Sequence, residues 1–238
     1  MAGLLTTMIV VSVCACLPGP PTKPTTTSST KTTTSSTTTT TTSTTSKTST
    51  TKTTTTKTEE SEWDWSWQDD KTIIITKYKG TATKVTVPTK INGTAVTALG
   101  SWTFRENREL KEVIIPDSIT ILKQNLFINC SGLEKVTLPK KVTEFGDQMF
   151  DGCTSIKRIV VPEGVTKFEY REFARCTSLE EIVIPAVDEI GGAVFQECKN
   201  LKKIYYRGTE SQWLAMEVAS NAFPKDIIYD YVCNYKGN

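Results

Sequence analysis

Cys153-Thr154-Ser155-Ile156-Lys157-Arg158-Ile159-Val160-Val161-Pro162-Glu163-Gly164-Val165-Thr166-Lys167-Phe168, continued by Phe173 and Cys176, is one unit of the pattern that decides the fold. The same landmarks recur every 23 residues: Phe104, Phe127, Phe150 and Phe173; Leu110, Leu133, Ile156 and Leu179; Pro116, Pro139, Pro162 and Pro185. Cys130, Cys153 and Cys176 keep the step, and a further copy arrives one residue early at Phe195, Cys198 and Leu201. Self-similarity at a fixed short period marks stacked coils, each burying its apolar side chains against its neighbours.

Within the unit, Ile156, Ile159 and Val161 follow an L-x-x-I-x-I spacing, a bend and then in-and-out alternation, which predicts a short strand. Pro162 cannot donate a ladder hydrogen bond and ends it. Val165 with Phe168, like Val142 with Phe145 one unit earlier, returns the chain along the other side, and Phe-x-x-Cys turns the corner. Upstream, Val85-Thr86-Val87-Pro88 matches the strand, Asn92-Gly93 predicts a hairpin turn, and Lys71 to Tyr78 supplies a further strand. Downstream, Thr209-Glu210-Ser211-Gln212 is a capping box opening a helix through Trp213 and Met216, and Ile227 to Val232 makes a closing strand.

These residues resemble the leucine-rich repeats of the treponemal, BspA-like class, whose unit is close to L-x-x-I-x-I-P-x-x-V-T-x-I-G-x-x-A-F-x-x-C. The resemblance runs from about Val85 to Tyr206, with Gly100, Gly146 and Gly191 at the glycine position. It lapses at Lys123 and Glu169, where that glycine is missing, and at Tyr206, which replaces the strand-ending proline. It implies an α/β leucine-rich repeat solenoid with a parallel sheet on its concave face, capped at both ends. It also implies a bacterial or protist surface protein that adheres to host or matrix components.

Composition divides the chain at 1–21, 22–58 and 59–238. Leu4 to Leu17 is an apolar run of about 14 residues, the length of a secretory h-region and short of the roughly 20 needed to span a bilayer. Two exits are open: ordinary cleavage after Ala15, or lipidation of Cys16 in Val13-Cys14-Ala15-Cys16, which resembles a lipoprotein box. Thr22 to Thr58 is almost wholly Thr and Ser, with nothing to bury against the entropy of ordering, and reads as a disordered stalk or spacer. As a coil it would span about 35 Å, and about 120 Å pulled straight. The rest divides into an N-terminal cap at 59–84, repeats at 85–206 and a C-terminal cap at 207–238. Removing the five stalk lysines from 28 basic residues leaves 23 against 26 acidic ones, so 59–238 carries −3. That balance does not suit a nucleic-acid binder, which needs clustered positive charge.

Strands in register set equal positions beside one another, about 4.8 Å apart. One outward column reads Lys111, Glu134, Lys157, Glu180, Lys202, a strict alternation of sign; the next reads Glu112, Lys135, Arg158, Glu181, Lys203. Opposite neighbours favour this register, although chance alone also produces such a column. A third column holds the candidate ligand contacts Ile114, Thr137, Val160, Val183 and Tyr205. Exposed apolar strand residues suit a protein ligand, and β-branched residues suit strands with no ligand at all.

Histidine is absent, which removes Ser-His-Asp and Cys-His nucleophile systems and His-based metal sites. No enzyme activity, cofactor or metal is expected. Cys130, Cys153, Cys176 and Cys198 stack as a column; parallel Cβ directions oppose a disulfide, so they read as buried thiols that satisfy backbone carbonyls, with Asn107 serving in the first unit. Trp63, Trp65 and Trp67 alternate as strand residues on one side, either a flat platform for sugar rings or a lid over the first coil. The resulting expectation is a monomeric, secreted or cell-surface module that binds an extracellular protein or peptide. Its alternative is a carbohydrate-binding module using the three tryptophans.

Overall fold

The structure, a computed structural model, describes residues 62–225 and 229–237. The expected leader with Cys16, and the Thr/Ser tract, lie outside the described residues. Strand β1 (Trp63–Trp67) runs antiparallel to β2 (Ile73–Tyr78), followed by β3 (Lys84–Thr86), then β4 (Lys90–Ile91) and β5 (Thr94–Leu99), joined as a hairpin. Asn92 and Gly93 take φ of 49° and 80°, the left-handed pair that a two-residue hairpin turn needs.

Each later coil gives one strand to a front side, from its L-x-x-I-x-I segment, and one to a back side. The pairs are β6 (Glu112–Ile114) with β7 (Ile121–Leu122), and β8 (Lys135–Thr137) with β9 (Glu144–Phe145). They continue as β10 (Arg158–Val160) with β11 (Lys167–Tyr170), and β12 (Glu181–Ile184) with β13 (Glu189–Gly192). Then come β14 (Lys203–Tyr206), helix α1 (Glu210–Ala215), β15 (Glu217–Val218) on the back and β16 (Asp230–Val232) on the front. Thr209 caps α1 by accepting the Gln212 amide while Gln212 returns to the Thr209 amide, the capping box read from sequence. With one six-residue helix among the described residues, the expected α/β alternation is corrected to a β-solenoid of stacked parallel strands. In each coil the segment returning from proline to Phe contributes a strand of two to four residues to the back side rather than a helix.

Equal positions lie side by side: Lys84, Glu112 and Lys135 on one stretch of the front, Arg158, Glu181 and Lys203 on another. Lys111 and Glu134 meet at 2.8 Å, and Lys202 and Glu180 at 3.1 Å. Such exposed pairs contribute about 0.2–1 kcal/mol each and serve register more than stability.

The core is an aromatic row. Phe104, Phe127, Phe150, Phe173 and Phe195 are buried and stack at centroid distances of 5.1, 5.3, 5.8 and 5.4 Å, their planes within 14° of parallel. Phe223 adds a step at 4.8 Å that the 23-residue period did not reveal, because an inserted helix displaces it. Backbone bonds run alongside, Phe127 N–H to Met149 O at 2.9 Å and Phe150 N–H to Glu172 O at 2.7 Å.

The cysteine column completes this spine. The Phe127 carbonyl accepts the Cys130 amide at 3.0 Å and the Cys153 thiol of the next coil at 3.2 Å, so both lone pairs are used. Cys130, Cys176 and Cys198 donate likewise to Phe104, Phe150 and Phe173 at 2.9, 3.2 and 3.0 Å. Burial pushes the Cys130 and Cys198 thiols up to about 12, so they stay protonated donors. Asn107 differs from expectation: its carboxamide oxygen accepts the Leu110 amide at 3.2 Å, turning its own corner.

Candidate binding groove

The front ladder breaks once. β3, β6 and β8 form one sheet and β10, β12, β14 and β16 another, and on the back β9 and β11 likewise belong to different sheets. The single parallel sheet implied by the repeat is therefore two. Intact steps show what is missing. Glu134 and Lys135 donate to the Lys111 carbonyl at 2.9 and 3.0 Å, and Ile115 to Thr137 at 2.8 Å. Glu180 and Glu181 donate to Lys157 at 2.9 and 3.1 Å, and Val161 to Val183 at 2.8 Å. Among the described residues, the matching donors at the break, the Lys157 and Leu138 amides, make no such bond to Glu134 and Val160.

Both ends of the break are pinned. The Ser155 hydroxyl donates to Ser131 O at 2.6 Å, and at the other corner the Glu163 amide donates to Lys140 O at 3.0 Å. The aromatic spine crosses without interruption, and the buried Asp151 carboxylate accepts from Arg171 at 3.0 Å and Arg175 at 2.7 Å in the next coil. Held at its edges and parted in the middle, the front opens into a groove of about 1250 Å³.

Three departures from the repeat meet at this step. Glu169 stands at the position of Gly146 and Gly191, where a Cβ would run into the Gln124 and Glu169 backbones of the preceding coils. Lys123 also lacks the glycine yet its amide still reaches Leu99 O at 2.9 Å, so a side chain there does not suffice. Glu172 occupies a place held by Leu126, Met149 and Val194 in neighbouring coils, and its carboxylate accepts the Glu169 and Tyr170 amides at 2.6 and 3.2 Å. One coil earlier the corresponding amide, that of Gly146, reaches back to Leu122 O at 2.9 Å instead. Finally, Lys135 and Arg158 set like charges at equal positions across the break. Burial pushes the Glu172 carboxyl up to about 7, with backbone hydrogen bonds opposing the rise, and its Oε2 has no hydrogen-bond partner among the described residues.

The groove walls are apolar where they should be core. Val136 and Leu138 are half-exposed, whereas their counterparts Val113, Ile115, Ile159 and Val161 are at most 2% exposed. Ile114 and Val160 join them, both half-buried, with Thr137 exposed between them. The rim carries Lys135, Lys140, Lys157, Arg158, Arg207 and Lys236 against Asp117, Glu134 and Glu163. Six positive charges less three negative ones leave +3, opposite in sign to the −3 of residues 59–238. Ion pairs at 3.2 Å (Lys140 with Asp117) and 2.7 Å (Arg207 with Glu163) tie part of this charge, and Glu112 and Glu181 beside the groove hold Lys135 at 3.6 Å and Arg158 at 3.4 Å.

Of the five outward residues expected to contact a ligand, the structure brings three to the groove. Val183 is buried, not exposed, which corrects its place among them. Tyr235 packs against Tyr205 at 4.5 Å with the rings tilted by 42°, and its hydroxyl lies 3.5 Å from Arg158 Nη2, so it crosses the intervening strand that carries Val183. Tyr205 is half-buried by the same contact. Sequence periodicity could not show this, because Tyr235 lies beyond the last repeat.

The tryptophans do not form a platform. A bulge between Asp64 and Trp65 interrupts the alternation; Trp63 is buried against Tyr78 at 4.7 Å and Phe104 at 5.9 Å. Trp65 and Trp67 meet edge to face at 5.7 Å and 86°, with Trp67 61% exposed.

The family model of the BspA type leucine rich repeat region matches residues 78–206 in six copies. Among solved structures, the T. pallidum leucine rich repeat protein is 26% identical with a TM-score of 0.60, over 73% of this chain and 85% of that one. A leucine rich cell surface protein from Faecalibacterium prausnitzii is 28% identical with a TM-score of 0.60, over 67% of this chain and 41% of that one. A leucine-rich repeat protein from Eubacterium ventriosum, 21% identical with a TM-score of 0.50 over 73% of this chain and 51% of that one, shares the fold. The chain thus spans less than half of the F. prausnitzii protein. No curated protein matches it.

Proposed function

Because the chain belongs to the BspA-type leucine-rich repeat proteins, we propose that it is a non-enzymatic binding module that takes an extracellular protein or peptide in the groove between β8 and β10. The observation that carries this reading is the pair Val136 and Leu138, core residues by position that are only half-buried there. An exposed apolar strip rimmed by charge is where a partner gains most by excluding water. On this reading residues 1–21 export the chain, by cleavage or by lipidation of Cys16, and 22–58 hold residues 59–238 away from the cell surface. The segments flanking the repeats close its ends, as an open solenoid requires.

The test is an array of host matrix proteins and glycans probed with the wild-type chain and with Val160→Arg. Protein hits lost in the variant support the reading; hits that survive it place binding elsewhere. A second reading, glycan binding at Trp65 and Trp67, draws on the exposure of Trp67. Glycan hits abolished by Trp67→Ala and untouched by Val160→Arg would favour it.

A further inference from the structure

The break leaves backbone donors on both sides of the solenoid, and the two sides treat them differently. On the back, the Glu172 carboxylate takes the Glu169 and Tyr170 amides. On the front, the Lys157 and Leu138 amides have no side-chain acceptor among the described residues. They lie on segments that line the groove, among six cationic side chains and three carboxylates. Among the described residues Lys157 and Lys236 close no ion pair there, whereas Lys140 and Arg207 do.

We infer that the occupant of this groove is an extended acidic segment of a partner protein, with successive carboxylates along it that accept from the Leu138 and Lys157 amides at the two ends of the break, the role Glu172 plays behind it. This deepens the proposed function and rests on it. An extended peptide alternates its side chains, so acidic residues can face Lys157, Lys236 and the open amides while aliphatic ones meet Val136, Leu138 and Val160. Carboxylate bonds to backbone amides and ammonium groups are stronger than neutral ones, and the opposite sign of the surrounding domain confines the attraction to the groove.

The experiment titrates the full chain into a fluorescein-labelled peptide of about ten residues alternating Glu and Val, reading anisotropy. The control peptide carries Gln in place of Glu. The expected result is binding of the acidic peptide about tenfold tighter than the Gln peptide, and a loss of about tenfold in Lys157→Gln/Lys236→Gln, whose fold is verified by circular dichroism. Equal affinity for both peptides, or no change in the double variant, overturns acid recognition. If Val160→Arg still abolishes their binding, the groove reading survives that result. Absence of peptide binding overturns the inference too, and the array with Val160→Arg then judges the groove alone. A sulfated oligosaccharide that binds more tightly than the acidic peptide and displaces it would assign the site to a polysaccharide and also overturn it.

Discussion

The Glu172 carboxylate accepts the Glu169 amide at 2.6 Å, filling on the back sheet the break that stays open on the front. It is a buried acid in a column of apolar residues, and burial raises its titration to about 7 from the usual 4.5. The folded state therefore holds this proton more firmly than the unfolded one. The resulting stability is complete below pH 4.5, declines between 4.5 and 7, and is gone above 7. The shift corresponds to about 3 kcal/mol at most. Glu172→Gln keeps an oxygen acceptor and loses the charge. Urea unfolding should find it more stable than wild type at pH 8 by about 1–3 kcal/mol and nearly equal at pH 5. A constant difference at both pH values would remove the titration from the account.

The stacked phenylalanines set the coil spacing. Phe150→Ala removes a ring stacked on both neighbours at the break itself and is expected to cost about 3–5 kcal/mol by denaturant unfolding. Phe150→Leu should cost distinctly less, since it leaves a smaller cavity.

Asp151 ties the coils on the turn side, where the break does not reach. Asp151→Asn keeps the shape and loses the charge facing Arg171 and Arg175, for an expected cost of about 2 kcal/mol. Thermal unfolding at high salt should retain most of that difference, because Asp151 is buried and screening acts mainly on exposed charges.

Each turn holds residues in the left-handed region, and Glu197 does so at φ of 63° with an exposed side chain. Glu197→Gly relieves the Cβ clash and adds freedom to the unfolded chain. The expected net gain is about 0.5 kcal/mol, read as a higher urea midpoint.

The scaffold was legible because it rests on positions that repeat together. Phe127 and Phe150 predict their stacking, and Cys153 its carbonyl partner, since equal positions in register must meet. The helix start was legible from Thr209 and Gln212 alone. The site was less so, because it arises where repetition fails. Glu169, Glu172 and the Lys135–Arg158 step are visible in the sequence, but a missing glycine by itself does not open the ladder, as Lys123 demonstrates. Val183 and the flat tryptophan platform go astray for a common reason: a period reports which way a strand residue points, and not whether a later segment such as Tyr235, or a bulge such as that at Asp64, intervenes, whereas Trp63 sits against Phe104 as the alternative lid over the first coil requires.

Amide hydrogen exchange across the front strands tests the central claim, that the ladder parts between β8 and β10 and nowhere else along the repeats. The Leu138 and Lys157 amides should exchange at least about a hundredfold faster than those of Ile115, Val161 and Glu180, their counterparts at intact steps. Equal protection at all five amides would mean a continuous sheet, with no break to expose Val136 and Leu138 and no groove to receive a partner.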